Sequence, residues 1–180
     1  KARQKKPAAA ETTAVAPPAP AVTVDYAFSP QVTLAGYDLA VNDQPLAVAQ
    51  VDRVVRPGDE VVYTLYWRGT EPLAANYHTL LHWVDAQQQP LVQRNQLPGP
   101  WVNPPQLWQA GELQADVFRL VVPEDAASGQ YTPMVGVYLT ASASPDGQVR
   151  ELGNRYALPA LKVVNSPATR PAQRQEARLG

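Results

Sequence analysis

Proline sets the first limit on what this chain can fold into. Nineteen of its 180 residues are proline, and each one placed inside a helix costs about 3 kcal/mol, because it removes a backbone donor and clashes with the preceding turn. Long helices are therefore disfavoured over most of the sequence. Many of the prolines stand among other turn-forming residues: Asn42-Asp43-Gln44-Pro45, Arg56-Pro57-Gly58-Asp59, Arg68-Gly69-Thr70-Glu71-Pro72, Pro98-Gly99-Pro100, Pro123-Glu124-Asp125 and Pro145-Asp146-Gly147, with Ala110-Gly111 a further turn. Punctuation roughly every ten residues predicts many short strands. The expected fold is all-β, an immunoglobulin-like or jelly-roll antiparallel sandwich of about seven to nine strands with disordered tails.

The strongest strand signal is Glu60–Arg68. Val61, Tyr63, Leu65 and Trp67 fall on one face and Val62, Thr64 and Tyr66 on the other, all of them residue types that suit a pleated surface. Further strands are expected near Thr33–Val41, Ala47–Val55, Leu113–Val122, Gln130–Thr140 and Val149–Val164, the last broken near Pro159. Asp146-Gly147 marks a hairpin. Leu73–Gln89 fits two patterns. Leu73, Tyr77, Leu80, Leu81 and Val84 have helical spacing, but the aromatic and β-branched content of Tyr77–Asp85 favours a strand. That strand would put Tyr77, Thr79, Leu81 and Trp83 on one face and His78, Leu80, His82 and Val84 on the other.

The domain is expected over residues 22–165. Residues 1–21 read as a flexible basic and Pro/Ala-rich tether, and residues 166–180 as a disordered C-terminal tail with little to bury. Lys1, Arg3, Lys5 and Lys6 form a basic cluster of the kind that flanks a membrane helix; the other reading is a solvated tail. No run reaches the 18 or so apolar residues that span a bilayer, so membrane association is expected only through a missing upstream segment or a partner. A formal net charge of −1 lacks the basic excess that phosphate neutralisation requires, and no nucleic-acid partner is expected. The chain has no cysteine, which excludes thiolate catalysis, iron–sulfur clusters, cysteine zinc sites and disulfides.

Six short words, in order, carry a resemblance to a known family: Leu34-Ala35-Gly36-Tyr37-Asp38-Leu39, Arg56-Pro57-Gly58-Asp59, Thr64-Leu65-Tyr66-Trp67-Arg68, Leu80-Leu81-His82-Trp83-Val84-Asp85-Ala86, Leu107-Trp108-Gln109-Ala110-Gly111-Glu112, and Gly129-Gln130-Tyr131 with Val135-Gly136-Val137-Tyr138. Over Leu34 to Tyr138 the chain resembles the extracytoplasmic β-sandwich domain that follows the membrane region of bacterial family-39-type glycosyltransferases and related uncharacterised membrane proteins. The resemblance implies a sandwich on the periplasmic or cell-surface side, membrane-associated and accessory to sugar transfer. It carries over no catalytic residue, since the family's catalytic carboxylates lie in its membrane part. The chain departs from the family at His78, at Trp83 and in the loop Gln96–Gln106, which has extra proline and Trp101. A basic flank at Lys1–Lys6 would by itself point to the cytoplasm; the longer resemblance is weighted above it.

Reactive residues are scattered. The chain has no Gly-x-Ser-x-Gly elbow, phosphate-binding glycine loop or His-Glu-x-x-His pair. His78 and His82 could share a metal ion on a helix, but on a strand they lie about 13 Å apart. His82 is then expected as a hydrogen-bonded, partly buried histidine and His78 as a surface one. Asp59-Glu60 and Glu124-Asp125 read as turn residues that cap backbone amides, and no Asp-x-Asp-x-Asp run calls for calcium. No enzyme activity, metal or cofactor is expected.

The aromatic residues raise a more specific question. A sugar ring offers an apolar face to an aromatic ring and hydroxyls to Asn, Asp, Arg or Gln. Residues 94–109 contain that mixture, and Arg94, Asn95, Trp101 and Asn103 are the candidate ligand-binding residues. Trp67 is expected in the core, and Trp108 packed against the sandwich. The reading is a non-catalytic accessory binding module with a glycan or a membrane-complex polypeptide as partner; the alternative is a structural or protein–protein interaction subunit.

Overall fold

The structure, a computed structural model, describes residues 19–46, 53–71, 73, 75, 77–99 and 104–166. The strands are β1 (Val22–Ser29), β2 (Val32–Val41), β3 (Gln44–Pro45), β4 (Val54–Val55), β5 (Glu60–Gly69), β6 (His78–Val84), β7 (Pro90–Gln96), β8 (Leu113–Val121), β9 (Gly129–Leu139), β10 (Arg150–Ala157) and β11 (Leu161–Val163). The only helical turn among the described residues is a 3-10 turn at Pro105–Leu107. No helix there is long and apolar enough to cross a membrane. The strands form two sheets. The first runs β1-β2-β5-β8 with β3 beside β2, and the second β4-β11-β9-β6-β7 with β10 also on β9. Pairing is antiparallel except between β4 and β11. The fold is a β-sandwich.

Alternation builds the core. Val61, Tyr63, Leu65 and Trp67 of β5 are all buried in one cluster with Leu34 and Leu39 of β2, Phe118 and Leu120 of β8, Leu81 and Trp83 of β6, and Val135 and Val137 of β9. Each strand contributes every second side chain, as burial of one face of each sheet requires, with β2 changing parity at the register shift between Leu34 and Gly36. Ordinary magnitudes of about 1.5–3 kcal/mol per buried large apolar side chain make this layer the main source of stability. Phe28 lies 5.7 Å from Trp67, ring centre to ring centre, which ties β1 into the same cluster. Gly36 is required by close approach, because a Cβ there would fall 2.1 Å from the carbonyl oxygen of Val22 on the adjoining β1.

Within Tyr77–Asp85 the strand β6 runs His78–Val84, and its two faces divide as the alternation predicts. The strands expected near Thr33–Val41, Glu60–Arg68, Leu113–Val122 and Gln130–Thr140 are present within a residue or two, and Val149–Val164 divides into β10 and β11. In place of Ala47–Val55 only Val54–Val55 is seen as strand, residues 47–52 lying outside the described residues. Both tails fall largely outside as well. Ala21, assigned to the tether, donates its backbone N–H to Asp38 Oδ1 at 2.6 Å. Three strands, β1, β7 and the two-residue β3 in the segment read as a turn, were not expected. The Asp146-Gly147 signal marks a turn within a longer hairpin connection, whose flanking strands pair from Leu139 with Arg150.

Candidate functional site

The outer face of the second sheet, turned away from the core, carries a connected set of polar groups. His82 on β6 sits opposite Gln93 of β7 and Met134 of β9, while Asn95 sits opposite Leu80 and Glu151 opposite Tyr138. His82 Nε2 lies 2.7 Å from Asn95 Oδ1. Its Nδ1 lies 3.3 Å from Arg155 Nη1. A guanidinium can only donate, so Nδ1 accepts and Nε2 carries the proton, which it donates to Asn95. Arg155 also donates to Glu151, from Nε to Oε2 at 3.1 Å and from Nη2 to Oε1 at 2.5 Å. The hydrogen bonds hold the Glu151 carboxyl below its ordinary range and raise Arg155 in turn.

A backbone irregularity makes the ion pair available. Residues four apart on a regular strand lie about 13 Å apart, beyond easy reach of each other. Between Leu152 and Tyr156 the register against β9 shifts, and Gly153 adopts φ +59. A Cβ at Gly153 would lie 2.6 Å from the carbonyl oxygen of Phe28, so only glycine lets β10 bulge beside β1. Such bulges re-aim side chains, and here Glu151 and Arg155 meet.

The polar chain borders apolar surface. Leu80, Tyr138 and the exposed Val149 line a shallow depression of about 110 Å³ together with His82, Asn95, Glu151 and Arg155. Toward the start of β6, His78 lies 5.5 Å from Tyr138, ring centre to ring centre. Beyond it is a cleft of about 460 Å³, lined among the described residues by His78, Gln96, Leu97 and Gly99. That volume falls in the range of about 300–1,000 Å³ usual for small-ligand sites. His78 is half-buried, contrary to the surface position expected for it, and its Nδ1 is buried without a hydrogen-bond partner. His78 and His82 share a face as the strand alternation requires, each with its own neighbours. Among the described residues no group of three or more His, Asp or Glu side chains could hold a metal ion.

Of the four candidate residues, Asn95 lies within this surface. Arg94 is exposed but pairs with Leu81 and so belongs to the opposite face of β7. That parity separates it from Asn95. Trp101 and Asn103 lie outside the described residues. Trp108 is buried, as expected. His82, Tyr138, Glu151 and Arg155 were not singled out as ligand-binding, because their proximity depends on the pairing of β6, β9 and β10 and on the bulge.

Behind the site, one acid is buried. Asp116 on β8 is 1% exposed and accepts four hydrogen bonds: from Thr79 Oγ1 at 2.7 Å, Trp67 Nε1 at 3.3 Å, Gln96 Nε2 at 2.5 Å and the Gly99 N–H at 3.4 Å. Burial raises its pKa, and the four donors oppose that rise. Another concavity, about 380 Å³, lies beside Tyr37, Asp38, Pro45 and Arg53. Its acid is engaged by Ala21 and by the Tyr66 hydroxyl, 2.7 Å away.

No family model matches the sequence, and no curated protein matches it. Among solved structures, the C-terminal domain of Wzt is similar, at 13% identity over 76% of this chain and 75% of that one, with a TM-score of 0.54. A β-glucosidase from Listeria innocua, solved in complex with glucose, matches at 11% identity over 73% of this chain and 16% of that one, with a TM-score of 0.37. At such identities the first likeness supports the β-sandwich and no more, and the second is too loose to support anything. Neither comparison extends to the glycosyltransferase-associated family.

Proposed function

We propose that this β-sandwich is a non-catalytic binding module, and that the outer face of its second sheet holds a glycan. One observation carries the reading: the chain Asn95, His82, Arg155, Glu151 lies beside the apolar surface of Tyr138 and Val149, with the buried Leu80 in the same lining. A sugar ring has that same division into an apolar face and a rim of hydroxyls. With its Oδ1 accepting from His82, Asn95 keeps an amide N–H₂ group to offer outward. His82, Arg155 and Glu151 are each hydrogen-bonded within the protein, and among the described residues that line the depression Glu151 is the single carboxylate, whereas hydrolysis of a glycosidic bond uses a pair; this favours binding. An extracytoplasmic, membrane-associated setting follows from the family resemblance. The test is a glycan array probed with the whole chain, followed by titration of any hit. Tyr138→Ala and His82→Ala should each weaken binding at least tenfold while leaving the circular dichroism spectrum unchanged. Unaltered affinity in both variants refutes this location for the site.

A second reading has its own observation. Val117 and Val121 on the outer side of β8 are 45% and 57% exposed, beside Thr64 and Glu60 of β5. A protein partner could cover that face, as a structural role would require. Absence of glycan binding together with a Val117→Asp variant that dissociates a native complex would favour it.

A further inference from the structure

We infer that the glycan accepted by this face is uncharged, and that Glu151 is the residue that sets this preference. The inference rests on the glycan-binding reading above and concerns its substrate class. The depression carries one guanidinium, Arg155, and one carboxylate, Glu151, and they are joined; Lys162 lies on the same face but outside this lining, opposite Gln130. Arg155 has five N–H groups; Glu151 takes two of them through the side-on fork of Nε and Nη2, and His82 takes one at Nη1. Bidentate capture of a sugar carboxylate is strongest on a free, unpaired guanidinium; here the Nε–Nη2 edge is filled and the charge is paired by Glu151. The remaining N–H groups suit single hydroxyls. His82 presents its Nδ1 to the guanidinium as an acceptor. Tyr138 and Asn95 complete the polar lining with a phenol hydroxyl and an amide.

An anionic sugar arriving here would lose hydration without gaining an unpaired cation, and would approach a carboxylate whose side chain is 42% exposed. Desolvation of an ion without a partner is unfavourable. The lowered Glu151 pKa keeps its charge in place across ordinary pH.

The test compares two panels on the whole chain: neutral oligosaccharides of glucose, galactose and mannose, and oligosaccharides ending in uronic or sialic acid. Wild-type protein should bind a member of the neutral panel, with affinity changing less than about twofold between about 20 mM and 0.5 M salt. Glu151→Gln frees the Arg155 charge and should improve binding of the matching acidic ligand at least tenfold, in a salt-sensitive manner. Preference of the wild type for acidic ligands, or a strong salt dependence of its binding, overturns the inference while the glycan-binding reading stands. An unchanged ratio of acidic to neutral affinity in Glu151→Gln does the same. Failure of wild-type protein to bind either panel refutes the underlying reading and the inference with it.

Discussion

Replacing Asp116 separates its role as a hydrogen-bond acceptor from its cost as a buried charge. In Asp116→Ala four donors lose their acceptor. Gln96 Nε2 retains the Val117 carbonyl at 3.1 Å and Thr79 Oγ1 retains the Gln96 carbonyl at 3.3 Å; Trp67 Nε1 and the Gly99 N–H are left stranded. A stranded buried donor costs about 1–3 kcal/mol, and the long 3.3 and 3.4 Å bonds place each near the lower end, about 2 kcal/mol together. The small void adds roughly 1 kcal/mol, for a total loss of about 3 kcal/mol. Asp116→Asn is different. Its oxygen can still accept from Gln96 and Gly99, its amide can donate to the Thr79 hydroxyl, and only Trp67 Nε1 goes unmatched, while a buried charge is removed. Its net change at pH 7 should stay under about 1 kcal/mol. Because folding raises the Asp116 pKa, this group contributes most below its unfolded value of 3.8 and loses that contribution as pH rises through the folded value. The wild-type stability minus that of Asp116→Asn should therefore fall with rising pH above about 3.8 and then level off. Urea unfolding followed by tryptophan fluorescence across pH measures all three proteins. If Asp116→Ala stays within about 0.5 kcal/mol of wild type, or Asp116→Asn loses as much as Asp116→Ala, the acceptor-hub reasoning is refuted.

Two other perturbations are informative. Gly153→Ala should destabilise the domain by about 2–4 kcal/mol, from positive φ and contact with the Phe28 carbonyl, and should abolish glycan binding in the folded fraction; a stable variant with normal binding would show that the bulge is dispensable. In the β9–β10 connection, the Ser144 hydroxyl and Arg150 hold Asp146 down to about 2. The order it gives this turn is present above pH 3.8 and lost as pH falls through about 2. The amide resonance of Gln148, which donates to Asp146 Oδ1 at 3.2 Å, should titrate there, and a midpoint near 4 would contradict the geometry.

The sandwich was legible wherever one strand carried its own alternation. Glu60–Gly69 and His78–Val84 declare both faces through consecutive large apolar, aromatic or β-branched residues. The edge strand Pro90–Gln96 does not: only Leu91 and Val92 are apolar, and three of its next four residues are exposed, so it reads as loop. That misreading grouped Arg94 with Asn95, although strand parity sends them to opposite faces. Asn95 was recognisable as a polar group near the site. Its partners were not, because His82 lies 13 residues and Glu151 and Arg155 more than 50 residues away in the chain. Register across three strands brings them together, and the Gly153 bulge completes the pair. In the sequence alone Gly153 is one glycine among ten.

The core and the binding face meet at two consecutive residues of β7. Gln96 turns inward to Asp116 and the Val117 carbonyl, and Asn95 turns outward to His82. β7 has β6 on one side and, among the described residues, no strand on the other; its mostly exposed side chains give it little apolar anchorage of its own. A slip of one residue would exchange the two faces, sending the Asn95 amide into the core and Gln96 to the surface. Apolar packing is weakly directional and would not strongly oppose such a slip. A buried carboxylate with four placed donors does oppose it, since its hydrogen bonds are satisfied in one register only. This gives a physical reason for an acid where burial disfavours charge: the charge of Asp116 adds little stability over an amide, but its four accepted hydrogen bonds fix β7 against the opposite sheet, and with β7 the position of Asn95 beside His82.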